Sequence, residues 1–279
     1  MISNILSIAG TDPTGGAGIQ ADLKTFSALG TYGMSVITAV VAQNTTGVSS
    51  FVTLEPDFVG AQIDAVFEDV RVDAVKIGMV PTAAIASVIA GRLRRHGARN
   101  IVLDPVMVAK SGDHLLQPDA VAVIRDRLLP LCSVVTPNLP EAAVLLDAEP
   151  DWSLAEMHVR LRELARFGSE AVLLKGGHLG GRDSVDLLLS GGRVSAYSQP
   201  RVATRNDHGT GCTLSAALAA LLPSMPLEAA TQKAKRYLTG ALAAADRLDV
   251  GHGHGPVHHF HALWTSHEAH SARALAPAD

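Results

Sequence analysis

The stretch His208-Gly209-Thr210-Gly211-Cys212-Thr213 leads straight into an apolar helical run, residues 214–222. Glycines ahead of a helix leave several backbone N–H groups pointing at one spot, and the helix dipole adds positive potential there. Such an entry builds an anion hole for a transferring phosphoryl group, where charge develops on oxygens. It is equally the form of an ordinary glycine-led helix start that buries a small residue. Cys212 stands at the helix start, where a thiolate is stabilised.

Outward from this point the chain alternates short β-like runs with helical periodicity. Downstream lies a second helical stretch, 227–248; upstream, 185–189 and 193–197 read as an antiparallel hairpin across Ser-Gly-Gly. Further back come a strand at 171–174, a helix from Ser153 to about Phe167 with capping-box spacing to Glu156, and a helix at 140–146. A strand at 134–136, a helix at 118–129 and two buried strands, 74–77 and 101–103, flanking a helix at 82–95 precede these. Pro56 opens another helix, 34–41 is β-rich and ends at Gln43-Asn44, and Ile19, Leu23, Phe26 and Leu29 share a helical face after a first strand at 5–8. Strands alternating with helices predict an α/β fold: a mostly parallel central sheet with helices on both faces, in three αβα layers. No linker or composition break divides the chain, so residues 1–265 read as one domain and 266–279 as a frayed tail.

The composition narrows the function. Apolar residues at 47% supply a core, and a net charge of -4 with no basic run beyond Arg92–Arg95 argues against nucleic acid or anionic membrane as partner. The two cysteines form no disulfide framework, Cys132 sitting in an apolar run, and no leader or membrane-length apolar stretch is visible. A reducing cytoplasm is the expected compartment. The late histidines, His252, His254, His258, His259 and His261, match no zinc spacing.

In parallel sheets ligands gather at the carboxyl ends of strands, so three more loops invite reading. Gly10-Thr11-Asp12-Pro13-Thr14-Gly15-Gly16-Ala17-Gly18 carries four glycines, which permit close approach of a ligand or simply a mobile connection. It is neither a Walker A loop nor a dinucleotide fingerprint. Thr136-Pro137-Asn138 with Glu141 could hold a metal-bound water or cap a helix. Lys175-Gly176-Gly177-His178 puts a lysine at a strand end, either reaching a phosphate or lying exposed near a turn.

Together the segments AGTDPTGGAGIQADLKTFSALG, VITAVVAQNT, KIGM, VLDPVM, KSG, LLPL, TPNLPEA, LLKGGH, HGTGCTLSAALAA and GPVHHFHALW run in order from Ile5 to Trp264. This set resembles the hydroxymethylpyrimidine/phosphomethylpyrimidine kinases of thiamin biosynthesis, in the ribokinase-like superfamily. The resemblance implies ATP and Mg2+ as cofactors, small-molecule pyrimidine substrates and a homodimer. It places Gln43 on the aminopyrimidine, with Gly10, Asp22 and Met79 lining the same pocket. An amide suits that task because it both donates and accepts. Asp104, Asn138 and Glu141 fall near the Mg-ATP phosphates, Glu141 holding the metal through water. Lys175 falls on phosphate, and Gly209, Thr210 and Gly211 in the anion hole. Cys212 takes the place of the superfamily's aspartate base. Its reference pKa of about 8.5 needs lowering to serve near neutrality, and the helix N-terminus is expected to supply that.

One departure is Asp207, where the family often has Thr; a small weakening of phosphate binding is expected. Lys110 is a candidate to offset the monophosphate in a second phosphorylation, and the adenine is expected near residues 227–248. The same fold and chemistry also admit a pyridoxal kinase, Gln43 favouring the aminopyrimidine. A non-catalytic pyrimidine sensor is the reading from another class.

Overall fold

The computed structural model describes residues 1–107 and 118–264. Lys110, the KSG segment and the tail at 266–279 lie outside the described residues. Eight strands form one sheet, in the order β10-β9-β8-β7-β6-β5-β1-β2. They are β1 (Asn4–Ala9), β2 (Tyr32–Ile37), β5 (Ala74–Ile77), β6 (Ile101–Leu103), β7 (Val134–Val135), β8 (Ala171–Lys175), β9 (Asp183–Ser190) and β10 (Arg193–Pro200). All neighbours are parallel except β8/β9 and β9/β10, which form the antiparallel edge expected from the Ser-Gly-Gly turn.

β3 (Ala39–Asn44) and β4 (Gly47–Thr53) make a separate two-stranded sheet. The reading of 34–41 as one strand is therefore corrected: the chain leaves the main sheet at Thr38. That residue is pinned there, its N–H donating to the Ala9 carbonyl at 3.0 Å and its hydroxyl to the Met79 carbonyl at 2.7 Å.

The helices are α1 (Gly18–Ala28), α2 (Pro56–Asp69), α3 (Ala83–Arg95), α4 (Pro118–Val123), α5 (Leu139–Leu146), α6 (Leu154–Leu164), α7 (Thr210–Leu221) and α8 (Leu227–Ala243). Strand side chains alternate between faces, and this divides the core. Leu6, Ile8, Val75 and Ile77 pack with Ile63, Ile89, Ala142 and Leu161 of α2, α3, α5 and α6. Ile5 and Ala74 pack instead with Phe26 of α1, Leu218 of α7 and Ala234 of α8. The three layers are those expected.

Two helices differ from the sequence reading. Residues 118–129 continue from α4 into a π turn at Ile124–Leu128 before Pro130 closes the element in a 3-10 turn. α7 starts four residues earlier than its apolar run, so Gly209 is its N-cap and Thr210, Gly211 and Cys212 are its first turn. Among the described residues no helix is long and apolar enough to cross a membrane.

The strand order reverses at β1, whose neighbours are β2 and β5. Such a switch point opens a crevice at the carboxyl ends of the strands. The loops after β1, β5, β6, β7 and β8 all leave the sheet at that end.

Candidate active site

The loop after β1 is organised by a single carboxylate. Asp12 is fully buried, and its oxygens accept hydrogen bonds from the Thr14 N–H and hydroxyl at 2.9 and 2.8 Å and from the Gly16 and Ala17 N–H groups at 2.9 and 2.7 Å. His208, in the loop ahead of α7, places Nε2 3.0 Å from the same carboxylate, and the Gln43 side chain helps to hold the carboxyl down. Burial alone pushes the carboxyl up, but these partners outweigh it and hold Asp12 well below the usual carboxylate range. The two glycine loops therefore touch. Gly209 has φ +76°, and a β-carbon there would overlap the Gly16 carbonyl oxygen.

Beneath this junction lies a buried ion pair. β5 alternation turns Lys76 to the face shared with α1 and α7, where its ammonium lies 2.8 Å from Asp22 of α1; both side chains are fully buried. The Ser7 hydroxyl donates to the same oxygen, Oδ2, at 2.5 Å, while Asp22 Oδ1 is buried with no hydrogen-bond partner among the described residues. Cys212 feels both charges. Burial pushes its thiol up to about 11, the Lys76 ammonium opposes the rise, and Asp22 and Asp104 add to it. The expected lowering by the helix N-terminus is thus corrected: enclosure of the thiol and the carboxylates of Asp22 and Asp104 push it up instead.

The third group sits where α7 meets β6 and β8. Lys175 is buried, not exposed at a turn, with its ammonium 2.8 Å from Asp104 and 3.7 Å from Glu141. Asp104 also accepts from the Thr136 and Ser215 hydroxyls, each at 3.3 Å. Burial pushes Asp104 up, but Lys175 and Lys76 outweigh it and hold it below its ordinary range. Glu141 goes the other way: burial pushes its carboxyl up, and Lys175 offsets that only in part. Capping is real here, because Asn138 and Glu141 form a reciprocal capping box at 2.8 Å in each direction. A β-carbon at Gly211 would come within 3.3 Å of the Lys175 ammonium and 3.4 Å of Asp104, so the first turn of α7 sits directly on this cluster. Among the described residues that turn has no side-chain cap and no acidic residue; the Thr210 N–H donates to the Asp207 carbonyl at 3.4 Å, and the Gly211 and Cys212 N–H groups point towards the cluster, where an anion can meet them.

The remaining candidates fall around these three groups. Gln43 lies at a register shift in the β3/β4 hairpin, and Met79 is buried against Ala39 and Val41 at its base. A β-carbon on Gly10 would lie 2.9 Å from Met79 Sδ, so Gly10 keeps that contact close. The Thr210 hydroxyl turns back onto the Asp207 carbonyl at 2.6 Å. The Asp207 carboxylate faces His254 at 3.1 Å. His259 is buried against the Thr213 hydroxyl at 3.1 Å, and burial pushes its imidazole down to about 3. His259 thus braces α7, while His258 and His261 lie against Ala241, Tyr237 and Gly240 of α8.

A family model described as phosphomethylpyrimidine kinase matches residues 12–258, a span that contains the charged residues of all three groups. This chain belongs to the phosphomethylpyrimidine kinase family. It is 60% identical over 262 residues to the hydroxymethylpyrimidine/phosphomethylpyrimidine kinase of Escherichia coli K12, covering 94% of this chain and 98% of that one. Among solved structures it resembles a phosphomethylpyrimidine kinase of Clostridium difficile 630 (TM-score 0.76, 42% identity, 86% of this chain and 99% of that one). It also resembles the ADP complex of Bacillus subtilis pyridoxal kinase (TM-score 0.88, 32% identity, 95% and 100% covered).

For a phosphomethylpyrimidine kinase, the sequence reading passed over three residues that the fold puts at the centre: Asp12, Lys76 and His208. Each stands inside a quoted segment, yet nothing local marks it. A lysine alternating with apolar residues in a four-residue strand was the available signal, since a strand buried on both faces admits a charge only with a partner.

Proposed function

We propose that this protein transfers the γ-phosphoryl group of ATP to the hydroxymethyl oxygen of 4-amino-5-hydroxymethyl-2-methylpyrimidine, and then to the resulting monophosphate, in thiamin biosynthesis. The observation that carries the reading is the meeting of the uncapped first turn of α7 with the Asp104–Lys175–Glu141 cluster. Donors and a cation converge there on one point, where the phosphoryl oxygens gather charge.

In each reaction the substrate oxygen attacks phosphorus, the bond to the β–γ bridging oxygen breaks, and ADP leaves. The Gly211 and Cys212 N–H groups and Lys175 take up charge on the equatorial oxygens. Gln43, with Gly10 and Met79, holds the aminopyrimidine; Asp22 closes that pocket from below through Lys76. Cys212 stands between the two halves: its thiol orients the substrate oxygen, and its thiolate form, populated as pH rises, accepts the hydroxymethyl proton in the first phosphorylation.

Mg2+ fits the polar cluster. Asp104 and Glu141 bring two carboxyl groups to the Lys175 ammonium, with the Asn138 side chain beside them, an oxygen-rich donor set. Oxygen donors of this kind hold Mg2+ together with substrate phosphates. Asp104, Asn138 and Glu141 would hold it, Glu141 through water, and when bound it neutralises charge on the phosphates. The exposed apolar side chains Val40, Phe51 and Val52 on the β3/β4 hairpin support the homodimer reading. The cysteine usage and the pathway support a cytoplasmic setting.

The test is ATP consumption with Mg2+ and hydroxymethylpyrimidine, its monophosphate or pyridoxal in parallel, with products identified by phosphorus NMR. Turnover of both pyrimidines and appearance of a diphosphate are expected. The likeness to a pyridoxal kinase makes pyridoxal the informative rival: turnover of pyridoxal alone would overturn the assignment of Gln43. Binding of the pyrimidine without turnover would point to a sensor.

Cys212 gives a second prediction. With the thiol pushed up to about 11, the single-turnover rate of the wild type should climb with pH towards that value, because the proton acceptor is the deprotonated form. Cys212→Ala should lose this climb and slow the chemical step by about 10²-fold. An unchanged step in the variant excludes the role.

A further inference from the structure

The buried Asp12 carboxylate is shared by groups that belong to different substrates in the reading above. Gln43 comes from the pyrimidine side, and His208 leads the phosphate-binding turn. The Gly16 and Ala17 N–H groups come from the glycine-rich loop between them. The contact is also steric. A β-carbon on Gly16 would lie 2.6 Å from His208 Cδ2, and one on Gly209 would overlap the Gly16 carbonyl oxygen. His208 is itself anchored, its N–H donating to the Gly255 carbonyl at 3.0 Å. The two loops cannot shift independently while Asp12 holds both.

We propose that Asp12 and His208 are positioning residues that couple the two half-sites, so that filling the phosphate side orders the glycine-rich loop and Gln43 on the pyrimidine side. The proposal rests on the two-substrate reading of the site. Its chemical logic is that a carboxylate with all its acceptor positions used transmits displacement. Moving the His208 donor leaves a buried charge short of a hydrogen bond, which the Thr14, Gly16 and Ala17 amides of the loop must then compensate. The energetic gain comes when a bound nucleotide fixes the 208–212 turn, because the loop facing it is then fixed at no further expense of order. Neither residue needs to touch the reacting atoms.

Hydrogen exchange on the full chain tests this without relying on the identity of the pyrimidine. AMP-PCP alone should slow exchange of the amides at 10–18 in the wild type. The slowing should be lost in His208→Ala and kept in His208→Gln, whose amide can still donate to Asp12. In turnover assays His208→Ala should raise the KM for the pyrimidine roughly ten- to a hundredfold, the worth of one hydrogen bond to a charged group, and His208→Gln should restore most of it. Slowing that persists in His208→Ala, or that is absent from the wild type, overturns the coupling. If the exchange pattern holds but no pyrimidine is turned over, the coupling stands and the substrate assignment fails.

Discussion

Gly209→Ala is expected to reduce kcat/KM by at least about a hundredfold, the scale of loss when reacting groups are displaced by about 1 Å. Two effects add. The residue caps α7 with φ +76°, a left-handed conformation that costs an L-residue about 1–2 kcal/mol. The new β-carbon would also overlap the Gly16 carbonyl oxygen, forcing apart the loops joined through Asp12 and His208. Melting should fall by several degrees, while the loss of activity at a temperature where the variant is fully folded should be much the larger effect. Gly91→Ala is the control. It lies on the exposed side of α3 with nothing within 4 Å of an added β-carbon, and alanine there should be neutral or mildly stabilising. Full activity in folded Gly209→Ala would show that the close approach of the loops is not required.

Lys175→Met should damage both turnover and stability. Removing the ammonium takes the charge partner from Asp104 at 2.8 Å and from Glu141 at 3.7 Å, while both carboxylates stay buried. Breaking a buried pair in this way costs about 3–5 kcal/mol, and losing a charge-stabilising donor in a reaction of this type costs about 10²–10³ in rate.

The pH dependence separates this from simple loss of packing. Without the lysine, burial raises the folded-state pKa of both carboxyls above their unfolded values of about 4. The folded variant then binds protons more tightly than the unfolded chain, so its stability falls as pH rises through that interval. The deficit relative to wild type should be full at pH 8 and should shrink towards pH 5, as measured by urea denaturation at both. An equal deficit at the two pH values would mean that charge is not the cause.

These expectations draw on different levels of information. The glycine-led entry at 208–213 and the alternation of apolar runs were enough to place the sheet, its layers and the loops that carry the chemistry. Local hydrogen bonding and side-chain periodicity are encoded within a few residues, as in the Asn138–Glu141 and Ser153–Glu156 capping boxes. The ordered set of motifs likewise sufficed for the family. The sequence did not foretell that 34–41 would part at Thr38, because the reason is a hydrogen bond to Met79, 41 residues away.

Charge state was decided by tertiary structure alone. Cys212 looks activated in sequence, at the start of a helix, but its enclosure beside Asp22 and Asp104 pushes the thiol up. Asp12 and His208 are 196 positions apart, and Lys175 and Asp104 71 apart. A carboxylate's partners, and the water it has lost, are properties of the packed site. Spacing along a chain fixes which element a residue occupies; only folding fixes which charges it must face once water is gone.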